Sequence, residues 1–440
     1  MIFDTLRAVS ATTSPIVETP ADTSADTGRR LTGADGLRAF AALWVVFSHL
    51  YQRLLLPAQA PWLQDFQVLM MKGAFGVSIF FVLSGMLLSF PFWKAYLTGA
   101  PRPHIGHYVR RRVARIVPGF YASLGVSFVV GLVIFPDAPH RLWRLLSGLT
   151  FTSGFHYVTL FPVESNGPLW SIGLEVVSYV LMPLAMWGLF ALRRRRPAIG
   201  LVYWLGTFAV VIALNQWIVT TFTTAYFGKG WQYGMVGGAK EWMPGYNPIG
   251  FFGHFAIGVL AAALIAVWQV HHAGARLRRF DVLAGAALVG AVALVWSVRL
   301  PPEPDASTNF QGQPYLFPVF AALIGLLLVG LAYSTVVGRI VDNRFARYTA
   351  KVSFGIYIWH YLLLHLVSAI TGGEFEYFGI TDPWRHAMLS AVVLVLTYAV
   401  ASASWYLLEK PILNSRWATG WQSTPRPEQR ASATTVSPGG

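Results

Sequence analysis

The chain has 440 residues, of which 55% are hydrophobic and 12% are charged, and its 33 Lys and Arg outnumber its 19 Asp and Glu to give a net charge of +14. Soluble globular proteins carry about 25% charged residues, so this composition excludes an ordinary water-soluble domain. The 15% aromatic content excludes a disordered chain. Cysteine is absent, which excludes disulfides, thiolate metal sites and a cysteine nucleophile. The length and apolarity predict one membrane domain with short soluble tails.

The two ends of the sequence are polar. Residues 1–36 have no apolar run and therefore predict a disordered tail rather than a signal peptide, and residues 412–440 predict a second disordered tail. Between them lies a predicted membrane domain, 37–411, with ten apolar stretches of about 20 residues, the length that crosses a bilayer. These predicted spans are 37–56, 70–92, 116–135, 168–191, 199–220, 249–270, 281–299, 315–337, 352–371 and 386–408.

The placement of the basic residues predicts the orientation of these spans. If both termini are cytoplasmic, 24 of the 33 Lys and Arg lie on the cytoplasmic side and eight on the outer side, with Arg38 at the start of the first span. Cytoplasmic loops of membrane proteins carry such an excess. We therefore expect an all-α polytopic membrane protein with about ten transmembrane helices and both termini cytoplasmic. Topology also explains most of the positive charge without a nucleic-acid partner.

The first span carries two ionisable residues, Arg38 and His49, in the string RAFAALWVVFSH. Eleven residues of helix bring the two side chains within about 20° of one face, separated by about 16 Å along the axis. Ionisable groups inside spans are costly and are candidates for function. The alternative interpretation is an interfacial arginine and a histidine with a structural role.

The fourth span carries Glu175, in GPLWSIGLEVVSYVLMP. With 1.5 Å of rise per residue, Glu175 lies about 10 Å below the outer boundary of the membrane, and His49 lies about 12 Å below it. A carboxylate at the depth of a histidine predicts a pair in which the acid fixes the imidazole tautomer. A purely structural pair remains the alternative.

An arginine cluster that precedes the third span is another candidate for a functional site. Arg112 and Arg115 are three residues apart and share a helix face, where they could bind phosphate groups. Membrane topology alone explains Arg110 and Arg111.

The ninth span, SFGIYIWHYLLLH, carries His360 and His365. These histidines are five residues apart and diverge by about 140°, which argues against a shared metal site. No H-E-x-x-H, phosphate-binding loop or G-x-S-x-G motif occurs in the sequence. We therefore predict no metal site.

Together, these strings resemble the acyltransferase-3 family of integral membrane acyltransferases over about 31–411. The first span matches the family's Arg, ten residues, His signature, and RRRVARIVPGFY matches its Arg-x-x-Arg element. FGVSIFFVLSGMLLS, SFGIYIWH and the closing LLEKP are similar to three further blocks. GPLWSIGLEVVSYVLMP matches the fourth-helix block, except that Val177 stands where the family often has an aromatic residue. No esterase-like domain is apparent after the last span, so we expect the stand-alone form.

The resemblance implies an enzyme of the cell membrane that transfers an acyl group, acetyl or another short acyl, from cytoplasmic acyl-CoA to a hydroxyl. The acceptor would be a glycan, a lipid-linked sugar or a glycosylated metabolite, and no cofactor would be permanently bound. His49 would be the general base, oriented by Glu175. The implied acyl-CoA ligands are Arg38, Arg112 and Arg115, and the implied substrate-binding residues are Ser84, Trp170, Ser171, Tyr179 and His360.

Two other classes of protein would also place Arg, His and Glu inside a helical bundle. A transporter of a glycan or small solute predicts internal repeats and broken helices near the midplane of the membrane, and neither is clear in the sequence. A non-enzymatic membrane scaffold would not require the aligned His49 and Glu175.

Overall fold

The computed structural model describes residues 31–55, 58–192, 195–222, 234–297 and 314–419. These residues are mostly helical, and none of them belongs to an extended strand beyond an isolated bridge between Leu54 and Ile380. The helices are α1 Ala34–Tyr51, α2 Pro61–Met71, α3 Gly76–Thr98, α4 Ile105–Ile134, α5 Arg141–Leu149, α6 Trp170–Ala191, α7 Pro197–Phe222, α8 Gly234–Trp242, α9 Pro248–His271, α10 Arg278–Ser297, α11 Val319–Tyr333, α12 Val337–Val341, α13 Arg344–Ile370, α14 Pro383–Ala403, α15 Lys410–Leu413 and α16 Arg416–Thr419.

Eight helical segments in the described part of the chain are long and apolar enough to cross a membrane. They are Pro61–Thr98, Ile105–Ile134, Glu164–Ala191, Pro197–Phe222, Pro248–His271, Arg278–Ser297, Arg344–Ile370 and Pro383–Leu413. The expected all-α polytopic membrane protein is therefore confirmed.

The two remaining predicted spans also coincide with helices, α1 and α11. The apolarity of α1 is lowered by Asp35, Arg38 and His49, and α11 has only 15 residues. A length of about 20 apolar residues is the usual requirement for a span. The count of ten spans and the cytoplasmic placement of both termini therefore stay predictions.

The predicted tails differ in part from the structure. Residues 1–30 and 420–440 lie outside the described residues, whereas α1 begins at Ala34, inside the predicted first tail. Residues 412–419, predicted to belong to the second tail, contribute to the short helices α15 and α16, and α16 packs against α4. Ordered structure therefore extends beyond the last predicted span.

Small residues allow the helices around α1 to approach closely. α1 packs against α13 and α3, and α3 packs in turn along α9. A Cβ atom on Gly73 would overlap the backbone carbonyl of Trp44 on α1, and one on Gly258 of α9 would overlap that of Val82 on α3. Such close contacts between backbones are typical of membrane helices. They fix α1 in the middle of this group of helices.

A buried polar network connects α4 and α13 through the segment that precedes α6. The side-chain amide of Asn166 donates to the Ile358 carbonyl at 2.9 Å and to the Ser127 hydroxyl at 3.1 Å. The Tyr357 hydroxyl donates to the Pro168 carbonyl at 3.0 Å. Because buried polar groups need partners, these bonds hold α13 against the start of α6.

Candidate active site

A cavity of about 280 Å³ lies between α1, α3, α4, α6 and α13. Part of its wall is apolar or aromatic and includes Phe80, Phe354 and Tyr357. Seven of the ten predicted site residues line it, namely Arg38, Ser84, Arg112, Arg115, Ser171, Glu175 and Tyr179. The structure thus brings together residues from three predicted spans and from the arginine cluster before the third span, which are far apart in sequence.

The three arginines of the cavity differ in their partners. Arg115 donates from Nη1 to Oε2 of Glu409 at 3.1 Å, and its guanidinium lies 4.8 Å from the ring of Trp405. By contrast, no described residue accepts a hydrogen bond from Arg38 or Arg112. These two guanidinium groups are therefore available to an anion that enters the cavity.

Glu175 is held on the cavity wall by two hydroxyl groups. Its Oε1 accepts hydrogen bonds from Ser84 at 2.7 Å and from Tyr179 at 2.5 Å. The backbone carbonyl of Tyr179 in turn accepts a hydrogen bond from the Tyr108 hydroxyl at 3.0 Å. Glu175 therefore contributes an anchored acidic group to a wall that also carries three arginines.

The predicted pair between His49 and Glu175 is wrong. Nδ1 of His49 donates to Oε1 of Gln52 at 3.1 Å, one turn later in the chain. The His49 ring stacks on His360 at 5.3 Å and meets the ring of Tyr361 edge-on at 4.8 Å. Glu175 lines the cavity together with Arg38, whereas α1 presents His49 to His360 on α13. Counting residues from the predicted ends of the two spans therefore misplaced these side chains relative to each other. The imidazole is oriented by Gln52.

The geometry defines the tautomer of His360, one of the two stacked histidines. His360 donates from Nδ1 to the backbone carbonyls of Ile356 at 3.0 Å and Tyr357 at 2.8 Å. A carbonyl only accepts hydrogen bonds, so Nδ1 carries the proton and Nε2 keeps its lone pair. This Nε2 is buried without a partner. Nδ1 of His49 is occupied by its hydrogen bond with Gln52, which leaves Nε2 as the ring nitrogen that can face a substrate.

Tyr357 separates the cavity from the histidine pair. It lines the cavity, and its ring centre lies 6.1 Å from that of His360. Its hydroxyl is paired with that of Ser171 at 2.7 Å. The site is therefore elongated, with the arginines at one end and the histidines at the other.

Trp170 does not line the cavity. It is buried and packs against Tyr246 at 5.2 Å and Phe251 at 5.3 Å. Neither His49 nor His360 lines the cavity either. Among the described residues no group of three His, Asp or Glu could hold a metal ion.

Gln52 and Glu409 were not among the predicted site residues. Gln52 lies three residues after His49, the spacing at which two helical side chains meet. Glu409 belongs to the LLEKP block and ends a π-helical turn, Ser404–Glu409, a feature that recurs at functional sites. Both signals were present in the sequence, but neither identifies the partner.

Comparison with known proteins identifies the family. The acyltransferase-3 family model, described as "Acyltransferase domain", matches residues 31–406. The chain is 26% identical to "Putative peptidoglycan O-acetyltransferase YrhL" of Bacillus subtilis (strain 168), over 87% of this chain and 55% of that protein. It is 23% identical to "Putative O-acetyltransferase SACOL0978" of Staphylococcus aureus (strain COL), over 77% of this chain and 51% of that protein.

A third relative is matched over most of its own length. The chain is 25% identical to "Nodulation protein 10" of Rhizobium leguminosarum bv. viciae, over 87% of this chain and 93% of that protein. The chain spans about half the length of the Bacillus and Staphylococcus relatives. No solved structure matches it significantly. The family model covers most of the sequence, and the chain therefore belongs to the acyltransferase-3 family.

Proposed function

We propose that this protein is a multi-pass O-acyltransferase of the cell membrane. It moves an acyl group, acetyl or another short acyl, from cytoplasmic acyl-CoA to a hydroxyl of a glycan, a lipid-linked sugar or a glycosylated metabolite. The membrane domain, 37–411, carries the activity. Membership of an acyltransferase family supports the reaction class, and the names of the Bacillus and Staphylococcus relatives support a hydroxyl acceptor.

The observation that carries the proposal is the arginine-lined cavity. Arg38 and Arg112 line it without a hydrogen-bond acceptor in the described part of the chain. Guanidinium groups bind phosphates through paired hydrogen bonds, and acyl-CoA presents several phosphates. Arg115 lines the same wall, in a position fixed by its ion pair with Glu409. The adjoining apolar part of the wall suits the uncharged arm of acyl-CoA, which carries the thioester.

The proposed chemistry places His49 as general base. Nε2 of His49 takes the proton of the acceptor hydroxyl, whose oxygen attacks the thioester carbonyl. The carbon–sulfur bond then breaks, and the CoA thiolate leaves and takes up a proton. A general base accelerates such a step by about 10²–10⁴-fold. We propose direct transfer to the acceptor hydroxyl.

The other predicted site residues support this step by position. In the proposal, Glu175 holds Ser84 and Tyr179 on the cavity wall. Ser171 fixes Tyr357, and His360 stacks on the base. Trp170 lies away from the cavity, and its contact with substrate stays a prediction.

The test is turnover by the purified chain in lipid nanodiscs, measured as CoA released from acetyl-CoA with and without hydroxyl acceptors. His49→Asn should lower acceptor-dependent turnover by about 10²–10⁴-fold. His386→Asn is the control, since His386 is also buried and contacts the end of α1 through the Leu50 carbonyl. If His49→Asn keeps the turnover, the assignment of the base fails. If the wild type moves a glycan across vesicles without consuming acyl-CoA, the protein is a transporter.

The same assay tests the acyl-CoA site. Arg112→Ala should raise the KM for acetyl-CoA by about tenfold or more, because a hydrogen bond to a charged group contributes about 1.5–3 kcal/mol. Arg111→Ala is the matched control, since Arg111 is the preceding residue on α4 and does not line the cavity. Equal effects of the two substitutions would show that only the net charge of this region matters.

A further inference from the structure

Arg53 lies just beyond the end of α1, at the opposite end of that helix from Arg38. The residue is 3% exposed, and its guanidinium lies 5.8 Å from the ring centres of both Tyr361 and Tyr377. Fifteen residues separate Arg53 from Arg38, about 22 Å at the helical rise. Arg53 therefore belongs to a place distinct from the acyl-CoA cavity.

The guanidinium of Arg53 is incompletely satisfied. Its Nε and Nη2 atoms are buried and have no hydrogen-bond partner among the described residues. Glu376, on the loop that carries Tyr377, is exposed and forms no ion pair with it. Nε2 of His365, another side chain facing this region, is also buried without a partner. Buried polar atoms in native proteins usually have a partner, so the two unpaired donors of Arg53 are available to an acceptor group of a ligand.

The surroundings of Arg53 connect the surface with the proposed base. Backbone hydrogen bonds from Phe378 to Gln52 at 2.9 Å and from Ile380 to Arg53 at 3.0 Å hold the loop of Tyr377 against the end of α1. Tyr377 is 48% exposed and covers one side of the guanidinium. Tyr361, on the other side, contacts the His49 ring at 4.8 Å.

We propose that Arg53 binds an anionic group, a carboxylate or a phosphate, of the acceptor. The acceptor would then be an acidic sugar or a sugar phosphate, with its hydroxyl presented to His49. The planar guanidinium matches the geometry of both anions, and its unpaired Nε and Nη2 supply the two donors of a bidentate contact. This inference names the class of acceptor and rests on the proposed function.

The test measures binding to the purified full chain by isothermal titration calorimetry, with glucuronic acid, glucose 1-phosphate and glucose as probes. The wild type should bind glucuronic acid or glucose 1-phosphate at least about tenfold more tightly than glucose, because charge-assisted bonds are the stronger ones. The anion that is preferred identifies the acceptor as a carboxylate or a phosphate. Because no acyl-CoA is present, the result is independent of whether the chain transfers acyl groups.

Three variants make the test specific. Arg53→Met should abolish the preference for the anionic sugar. Arg53→Lys keeps the positive charge but cannot form the bidentate contact of a guanidinium group, so it should reduce the preference several-fold. Arg385→Met should leave it unchanged, since Arg385 is exposed and paired with Glu374 on the surface. A wild type that does not distinguish the three sugars would overturn the proposal. So would an undiminished preference in Arg53→Lys and Arg53→Met.

Discussion

The ion pair between Arg115 and Glu409 predicts a large loss of stability for Glu409→Gln. The Glu409 side chain is 1% exposed and that of Arg115 is 17% exposed, with 3.1 Å between Nη1 and Oε2. Removing one partner of a buried pair costs about 3–5 kcal/mol. Gln still accepts a hydrogen bond, and the contact of Arg115 with Trp405 is retained at about 1 kcal/mol. We expect the free energy of unfolding to fall by about 2 kcal/mol.

A double-mutant cycle measures this interaction. Unfolding of the purified protein in mixed micelles gives the free energy for the wild type, Glu409→Gln, Arg115→Met and the double variant. Residues in direct contact should show a coupling energy of about 1–2 kcal/mol. Glu374→Gln is the matched control, because its ion pair with Arg385 is half exposed and should contribute less than about 1 kcal/mol.

The cycle also separates the two tasks that Arg115 could have. If its main partner is Glu409, Arg115→Met should lower stability and change the KM for acetyl-CoA less than Arg112→Ala does. A coupling energy near zero, together with a loss of stability no greater than that of Glu374→Gln, would refute this reasoning. Arg115 would then be an acyl-CoA ligand, as is proposed for Arg112.

Two further predictions concern the histidine pair and the helix packing. Gln52→Leu should lower kcat by about three- to tenfold with an unchanged KM in steady-state kinetics, since a neutral hydrogen bond contributes about 0.5–1.5 kcal/mol. Gln52→Glu, which still accepts a hydrogen bond, should keep the orientation of His49. A raised KM in Gln52→Leu would instead mean that Gln52 contacts the substrate. Gly258→Ala should cost about 1–3 kcal/mol and lower the Tm, because its Cβ would overlap the backbone of Val82. Gly125→Ala, with open space around it, should not lower the Tm, and an equal loss in both would contradict the packing argument.

The apolar helices could be predicted because their length is set by the bilayer. Every predicted span coincides with a helix of the structure. Shorter elements have no such constraint. The segment Pro61–Met71 precedes the second predicted span as a separate helix, and α16 continues the ordered chain by packing on α4. Both are stabilised by tertiary contacts, which a window of hydropathy does not detect.

The candidate site could be predicted in part. The resemblance to the acyltransferase-3 family implied roles in one site for Arg38, Arg112 and Glu175, and all three line one cavity. Helical spacing by itself gives only the approximate face and depth of a residue. It does not give the neighbour that each face meets. His49 and Glu175 lie at similar predicted depths, yet α1 turns His49 towards α13. The partner of a buried side chain depends on the rotation of its helix, which packing determines.

The partners of Arg38, Arg53 and Arg115 indicate which end of the site binds which substrate. Arg115 is neutralised by Glu409, whereas Arg38 and Arg53, at opposite ends of α1, lack such a partner among the described residues. An unpaired cation within a membrane domain is costly, so both positions are expected to serve ligands. His49 lies on the same helix, about 16 Å from Arg38 and about 6 Å from Arg53 along its axis. In the proposed reaction, this one helix therefore positions donor, base and acceptor, and only the acyl group has to pass Tyr357.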